Sequence, residues 1–159
     1  MILPFSTKLN GKPTCFVEKI NACLLSAQLI SQNDLLVPYN DNFLGITDKL
    51  HTIREDKNNR WKAGVIIDFF INTRTKDMFR FAPRVPVVST QKVEIFHNAT
   101  TFVKDGLTIP AVYIDGYSMA VSKITELAHN DGFDTIEDFF EYFDKDFSGK
   151  IIHWTDKKY

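Results

Sequence analysis

Lys49-Leu50-His51-Thr52-Ile53-Arg54, with Arg60-Trp61-Lys62-Ala63-Gly64 close behind it, gathers cations, a hydroxyl, an imidazole and an indole within sixteen residues. No apolar face with a period of about 3.6 runs through the stretch, which argues against an amphipathic helix. An extended segment ending in a glycine turn instead sets alternate side chains on one side, here Lys49 or Leu50 with Thr52 and Arg54. A lysine, a threonine and an arginine along one wall suit an anionic or carbonyl-bearing ligand. By the same alternation His51 points away from Thr52 and reads as a surface or core-edge histidine.

Upstream, Gly11-Lys12-Pro13-Thr14 forms a turn that sets Thr14 as an N-cap. Phe16, Val17, Ile20, Cys23, Leu24 and Ala27 then recur at helical spacing and predict a helix over residues 16–29. Residues 33–48 read as a long irregular connection, broken by Pro38, Asn40, Asp41, Asn42 and Gly45. Downstream, Val65-Ile66-Ile67-Asp68-Phe69-Phe70-Ile71 is rich in β-branched and aromatic residues, and a polar break separates it from Met78-Phe79-Arg80-Phe81. A hairpin over residues 65–81 follows, with Pro83 and Pro86 marking an edge or bulge after it. Further strands are expected over 91–96, 108–114 and 150–154, the last preceded by Gly149. A short helix falls at 119–130, broken at Asp131-Gly132. A second opens at Thr135-Ile136-Glu137-Asp138 in capping-box fashion, with Phe139, Phe140 and Phe143 toward the core. The pattern is α+β. Short strand spacings without crossover helices favour a mixed, partly closed β-barrel with flanking short helices, the 135–143 helix packing on the hairpin.

At 159 residues the chain is most simply one domain, and its 14 phenylalanines argue for a well-packed globule. No apolar run approaches a membrane span, and Met1-Ile2-Leu3-Pro4-Phe5-Ser6 lacks the basic and long apolar regions of a secretory signal. The expectation is a cytoplasmic protein with no membrane partner. Cys15 and Cys23 on one helix would lie about 12 Å apart along its axis, too far to bridge, and read as reduced, buried thiols. The net charge of -1 conceals an asymmetry: residues 49–92 carry ten Lys/Arg against four Asp/Glu, and residues 115–148 carry nine acids against two lysines. A local anion-binding surface is compatible with that division, as is a merely solvated dipole.

Leu3-Pro4-Phe5-Ser6, Gly11-Lys12-Pro13-Thr14, the Lys-x-x-Thr-x-Arg segment at 49–54 and the aromatic-Lys-x-Gly turn at 61–64 together resemble the ASCH domain. Residues 124–133 and the closing Ile151-Ile152-His153-Trp154 extend the resemblance over most of the chain. It implies a PUA-like pseudo-barrel over 1–159, related to RNA-binding domains, with an inserted segment at about 30–48. One branch of the family consists of small amidohydrolases that deacetylate N4-acetylcytidine, using the lysine and threonine of the motif and a glutamate before the second helix. Carried onto this sequence, those positions are Lys49, Thr52 and Asp131, with aspartate where the enzymes have glutamate; Arg54 is the motif arginine. The residues before Lys49 are also longer here than in the compact enzymes.

A threonine hydroxyl needs a neighbouring base, and a lysine supplies one if burial and a second cation such as Arg54 lower its pKa. Asp131 would then protonate the leaving amine. The competing structural reading makes Lys49 and Asp131 a salt bridge and leaves Thr52 capping a turn. Arg54, Lys62 and Trp61 are the expected ligand-binding residues, Trp61 by stacking a base, although an indole beside a glycine turn more often plugs a core. Asp144-Lys145-Asp146-Phe147-Ser148-Gly149 copies half an EF-hand loop, but Thr155 stands where its bidentate glutamate belongs. No metal or cofactor is expected. The expected function is binding of a nucleotide, modified nucleoside or RNA in a cationic cleft. The alternatives are an amidohydrolase acting on an acylated nucleobase and a protein-interaction adaptor using the inserted segment.

Overall fold

A computed structural model describes residues 1–39, 43, 45–102 and 108–159; Asn40, Asp41 and Asn42 of the expected irregular connection lie outside them. In chain order the strands β1 (Ile2–Phe5), β2 (Lys8–Leu9) and β3 (Lys12–Pro13) precede helix α1 (Phe16–Ser26) and a 3-10 turn at Gln32–Asp34. Strands β4 (His51–Arg54), β5 (Ile66–Ile71), β6 (Phe79–Arg80), β7 (Val85–Pro86), β8 (Ser89–Phe102), β9 (Thr108–Ile114) and β10 (Tyr117–Ser118) follow. Helices α2 (Val121–Asn130) and α3 (Ile136–Tyr142) come before the last strand, β11 (Phe147–His153). The α+β class holds. None of these helices is long and apolar enough to cross a membrane.

The expected hairpin is present as β5 and β6, with Phe70 opposite Arg80 and Ile71 opposite Phe79. β1 joins it in parallel on the other edge of β5, and β7 pairs with the start of β5. Pro4 is tolerated because β1 is an edge strand. The larger sheet runs β10-β9-β8-β11-β4 and is antiparallel throughout. Among the described residues neither sheet closes on itself, so the partly closed barrel is not seen as a continuous hydrogen-bonded wall.

Alternation divides the interior in two. Leu3 and Phe5 of β1, Ile67 and Phe69 of β5, and Phe16, Ile20 and Leu24 of α1 meet in one cluster with Phe81 and Trp154. Val93, Ile95, Val112 and Ile114 of the large sheet meet Ile124, Leu127 and Phe139 of the short helices in the other. β11 serves both: Ile152 faces the first cluster and Ile151 the second, as the two-residue period of a strand requires. Helix α3 therefore packs on the large sheet and not on the β5–β6 hairpin. Its phenylalanines are matched by the apolar face of β8 and β9, whereas the inner face of the hairpin is already covered by α1.

Two local details also differ from the sequence reading. Cys15, not Thr14, is the N-cap of α1, with φ 51°, although the Thr14 hydroxyl accepts from the Phe16 N–H at 3.3 Å. Cys15 is accordingly exposed and outside the helix, and only Cys23 is buried, its thiol pushed up to about 12 chiefly by burial. Thr135 caps α3 as expected, accepting from the Asp138 N–H at 3.0 Å.

Gly149 lies inside β11, where an added Cβ would run into the Arg54 carbonyl oxygen and the Phe147 ring. Glycine is needed there because β4 and the Phe147 side chain both approach the backbone. Gly149→Ala should lower stability by about 1–3 kcal/mol, in the range of overpacked sites, as read by denaturant unfolding.

Candidate functional site

β4 has one conventional neighbour. Along β11, His51 faces His153, Thr52 faces Ile152, Ile53 faces Ile151 and Arg54 faces Lys150. On its other side the end of α2 takes the place of a strand. The Leu50 N–H donates to the Asn130 carbonyl at 2.8 Å, and the Ile53 N–H donates to Asp131 Oδ1 at 3.1 Å. Asp131 is the C-cap of α2, and Gly132, at φ 89°, turns the chain back beneath it. A Cβ at Gly132 would stand 2.9 Å from the Phe16 ring and 3.0 Å from the Lys49 Cδ, so this turn is shaped around the lysine.

Lys49 is 1% exposed and reaches Asp131 twice, donating to its backbone carbonyl and to Oδ1 at 2.8 Å. Its ammonium also lies 4.6 Å from the centroid of the Phe16 ring. Lys19 approaches the same turn from α1, donating to the Gly132 carbonyl at 2.8 Å and to Asp134 Oδ1 at 2.6 Å. Two cations thus meet the carbonyl end of α2, where its dipole is negative.

A cleft of about 590 Å³ opens above this arrangement. Lys49, Thr52, Arg54 and Asp131 line it together, with Phe5, Phe16, Phe133 and Tyr142 among their neighbours. Thr52 is 1% exposed. Arg54 donates to the Pro4 carbonyl at 2.9 Å and to the Ile53 carbonyl at 3.3 Å and sits over Phe5, its Cζ 5.2 Å from the ring centroid, while its buried Nε has no partner among the described residues.

Trp61 and Lys62 do not line the cleft. The Trp61 indole is packed into the first cluster, and the Asp56 carboxylate fixes that turn by accepting from the Arg60 and Trp61 N–H groups. Lys62 is exposed beyond it. The turn after β4 leads away from the site because Trp61 is needed in the core, so proximity in sequence does not become proximity in space. His51 also departs from expectation: it is fully buried, with Nε2 2.8 Å from the Tyr159 hydroxyl and Nδ1 3.7 Å from Asp131 Oδ1.

Burial lowers Lys49 to about 8, and Arg54 and Lys19 push in the same direction against the upward pull of Asp131. Burial works to raise Asp131, but Lys49 and His51 outweigh it and hold the carboxyl below its ordinary value. Asp131 is therefore a poor proton donor, and the group here able to exchange a proton near neutral pH is Lys49. Lys49 thus keeps the character of a base expected from the sequence, while the proton-donor role expected of Asp131 is disfavoured.

Lys19 and Tyr159 were not singled out in the sequence, Phe16 was read there only as part of a helix's apolar face, and His51 only as a surface or core-edge histidine. Lys19 had left a signal, a charge on the apolar face of α1 beside Phe16, Ile20 and Cys23. Tyr159 had left none. Compared with protein-family models, curated proteins and solved structures, the chain finds no match.

The ion pair makes a stability prediction. Lys49→Ala strands a buried carboxylate and should cost about 3–5 kcal/mol, whereas Lys49→Met with Asp131→Leu should recover much of that loss in chemical denaturation. Lys49→Ala cannot then leave the melting temperature unchanged, as a purely catalytic lysine would.

A second prediction concerns acid. His153 is buried with neither ring nitrogen hydrogen-bonded among the described residues, and burial, reinforced by His51, lowers it from 6.5 to about 3. The unfolded chain takes up a proton below 6.5 that the folded chain refuses until about 3, so stability must fall as pH drops through that window. His153→Phe should flatten this part of the stability-pH curve, measured by urea midpoints at successive pH values.

Proposed function

We propose that this chain is an ASCH domain of PUA-like fold that binds a nucleotide, modified nucleoside or RNA in the cytoplasm. The convergence of Lys49, Thr52, Arg54 and Asp131 with aromatic side chains on one open cleft carries the reading. The cleft lies in the size range of small-molecule sites, and a nucleobase offers both a π-face for the phenylalanine rings and carbonyl oxygens for the cations. In this reading the two sheets, joined through β11, are the walls of the pseudo-barrel, and the segment at about 30–48 is an insertion.

A second reading, the amidohydrolase, is favoured by one specific observation: a buried lysine brought down to about 8 lines the same cleft as a threonine. In N4-acetylcytidine the Thr52 oxygen would attack the acetyl carbon while the unprotonated Lys49 amine takes the hydroxyl proton. The tetrahedral oxyanion would be faced by Arg54. Collapse breaks the bond to the exocyclic nitrogen, to which the Lys49 ammonium returns the proton. Water then cleaves the acyl-threonine to acetate. Asp131 anchors Lys49 and transfers no proton.

Calorimetric titration with N4-acetylcytidine and chromatography for cytidine and acetate test both readings. Binding is expected in wild type and should weaken about tenfold in Arg54→Ala, the loss of roughly one modest hydrogen bond's worth of affinity. Under the enzyme reading Thr52→Ala keeps binding and loses turnover by roughly three orders of magnitude or more. If RNA is the partner, affinity should fall with salt with a log-log slope of about -0.7 per phosphate contact. Binding of neither nucleosides nor RNA at low salt would overturn the proposal; binding without turnover would leave a binder.

A further inference from the structure

Behind the cleft, on the side of β4 away from Thr52, lies a second polar cluster. Tyr159 places its hydroxyl 2.8 Å from His51 Nε2 and accepts from the Asn130 amide at 2.7 Å. Asn130 and Asp131 are adjacent at the end of α2, so the cluster and the cleft share one turn of backbone. His51 is 0% exposed, and its Nδ1 faces Asp131 Oδ1 at 3.7 Å with no hydrogen bond of its own. That oxygen is the one already used by Lys49 and by the Ile53 N–H.

These contacts bear on where the imidazole proton resides. The Asn130 amide donates to the Tyr159 oxygen, whose own hydrogen finds in His51 Nε2 an acceptor within reach. Nε2 is then bare, and a neutral ring carries its proton on Nδ1. A lone pair on Nδ1 would face a carboxylate in a dry setting and be repelled, so the second contact selects the same form.

We propose that His51 is a positioning residue for the cleft lysine: held in its Nδ1–H form by Asn130 and Tyr159, it competes with Lys49 for Asp131 Oδ1. The consequence is that Lys49 holds its proton less firmly than a lysine with sole possession of the carboxylate. The inference builds on the reading of Lys49 as the functional amine but concerns the unliganded protein. The other charged or titratable groups around the relay are Arg54 and Lys19 toward Lys49, His153 and Lys157 toward His51, and Glu126 toward Tyr159. His153 is its nearest aromatic neighbour on β11, with ring centroids 5.3 Å apart.

NMR of the intact, unliganded protein tests the proposal without any substrate. Imidazole nitrogen shifts of wild type should show His51 neutral at pH 7.5, protonated at Nδ1 and bare at Nε2. Tyr159→Phe should move the Nε2 resonance to that of a nitrogen receiving no hydrogen bond while Nδ1 stays protonated. His51→Phe should raise the titration midpoint of the Lys49 side chain, followed at its Cε. A wild-type proton on Nε2 overturns the proposal whether or not the variants fold, as does an unchanged Lys49 midpoint in a folded His51→Phe protein. If these shifts are as expected while nucleosides and RNA fail to bind, the relay stands and the functional reading falls.

Discussion

The buried Lys49–Asp131 pair is the constraint around which the rest of the site is arranged. Two charges withdrawn from water cost several kcal/mol each, and their attraction offsets this only when the remaining donors and acceptors are also satisfied. Here the Asp131 carboxylate takes the Lys49 ammonium and the Ile53 N–H on one oxygen, and the ammonium takes a backbone carbonyl as well. The Phe16 ring covers the ammonium, and Gly132 leaves room for its stem. These groups come from three elements: Phe16 from α1, Ile53 from β4, and the Asp131 carbonyl with Gly132 from the end of α2. The pair therefore registers α1, β4 and the end of α2 against one another, and the cleft is a product of that register.

Such a pair is a costly way to obtain stability alone, since apolar residues of similar volume often serve as well or better. Its distinctive product is a lysine with a depressed pKa at the floor of an open cleft, with Thr52 and Arg54 on the same wall. Groups displaced from their ordinary proton affinity and set in a concave site are functional candidates on physical grounds. Arg54 contributes in a different manner. Its guanidinium is already engaged by the Ile53 and Pro4 carbonyls and by a phenyl face, which leaves it pre-oriented in the cleft wall.

Legibility in the sequence followed the range of the interactions. Helices α1, α2 and α3 were readable from periodicity and punctuation, and the β5–β6 hairpin from its polar break, because local chemistry decides each of them. The placement of α3 was not readable, since it depends on which of two sheet faces is still uncovered. In the site, Thr52 and Arg54 were legible from alternation along β4, whereas Lys49 precedes that strand and alternation left it open against Leu50. The pairing of Asp131 with that strand came from the family resemblance, and the cleft places the four together. Trp61 and Lys62 fall outside the cleft because the indole plugs the core, as an indole beside a glycine turn more often does. His51 was misjudged because strand alternation locates a side chain on a face but does not say what stands behind that face. Tyr159 and Asn130 stand there, supplied by segments more than seventy residues away.

Chemical-shift mapping on the amide-labelled protein tests most directly whether the cleft over this pair is where ligand meets protein. Titration with cytidine, N4-acetylcytidine and a short single-stranded RNA should perturb the amides of Ser6, Thr52, Arg54 and Phe133 together, all lining the cleft. Perturbations confined to surfaces away from these residues, or none at all with any of the three probes, would contradict the account.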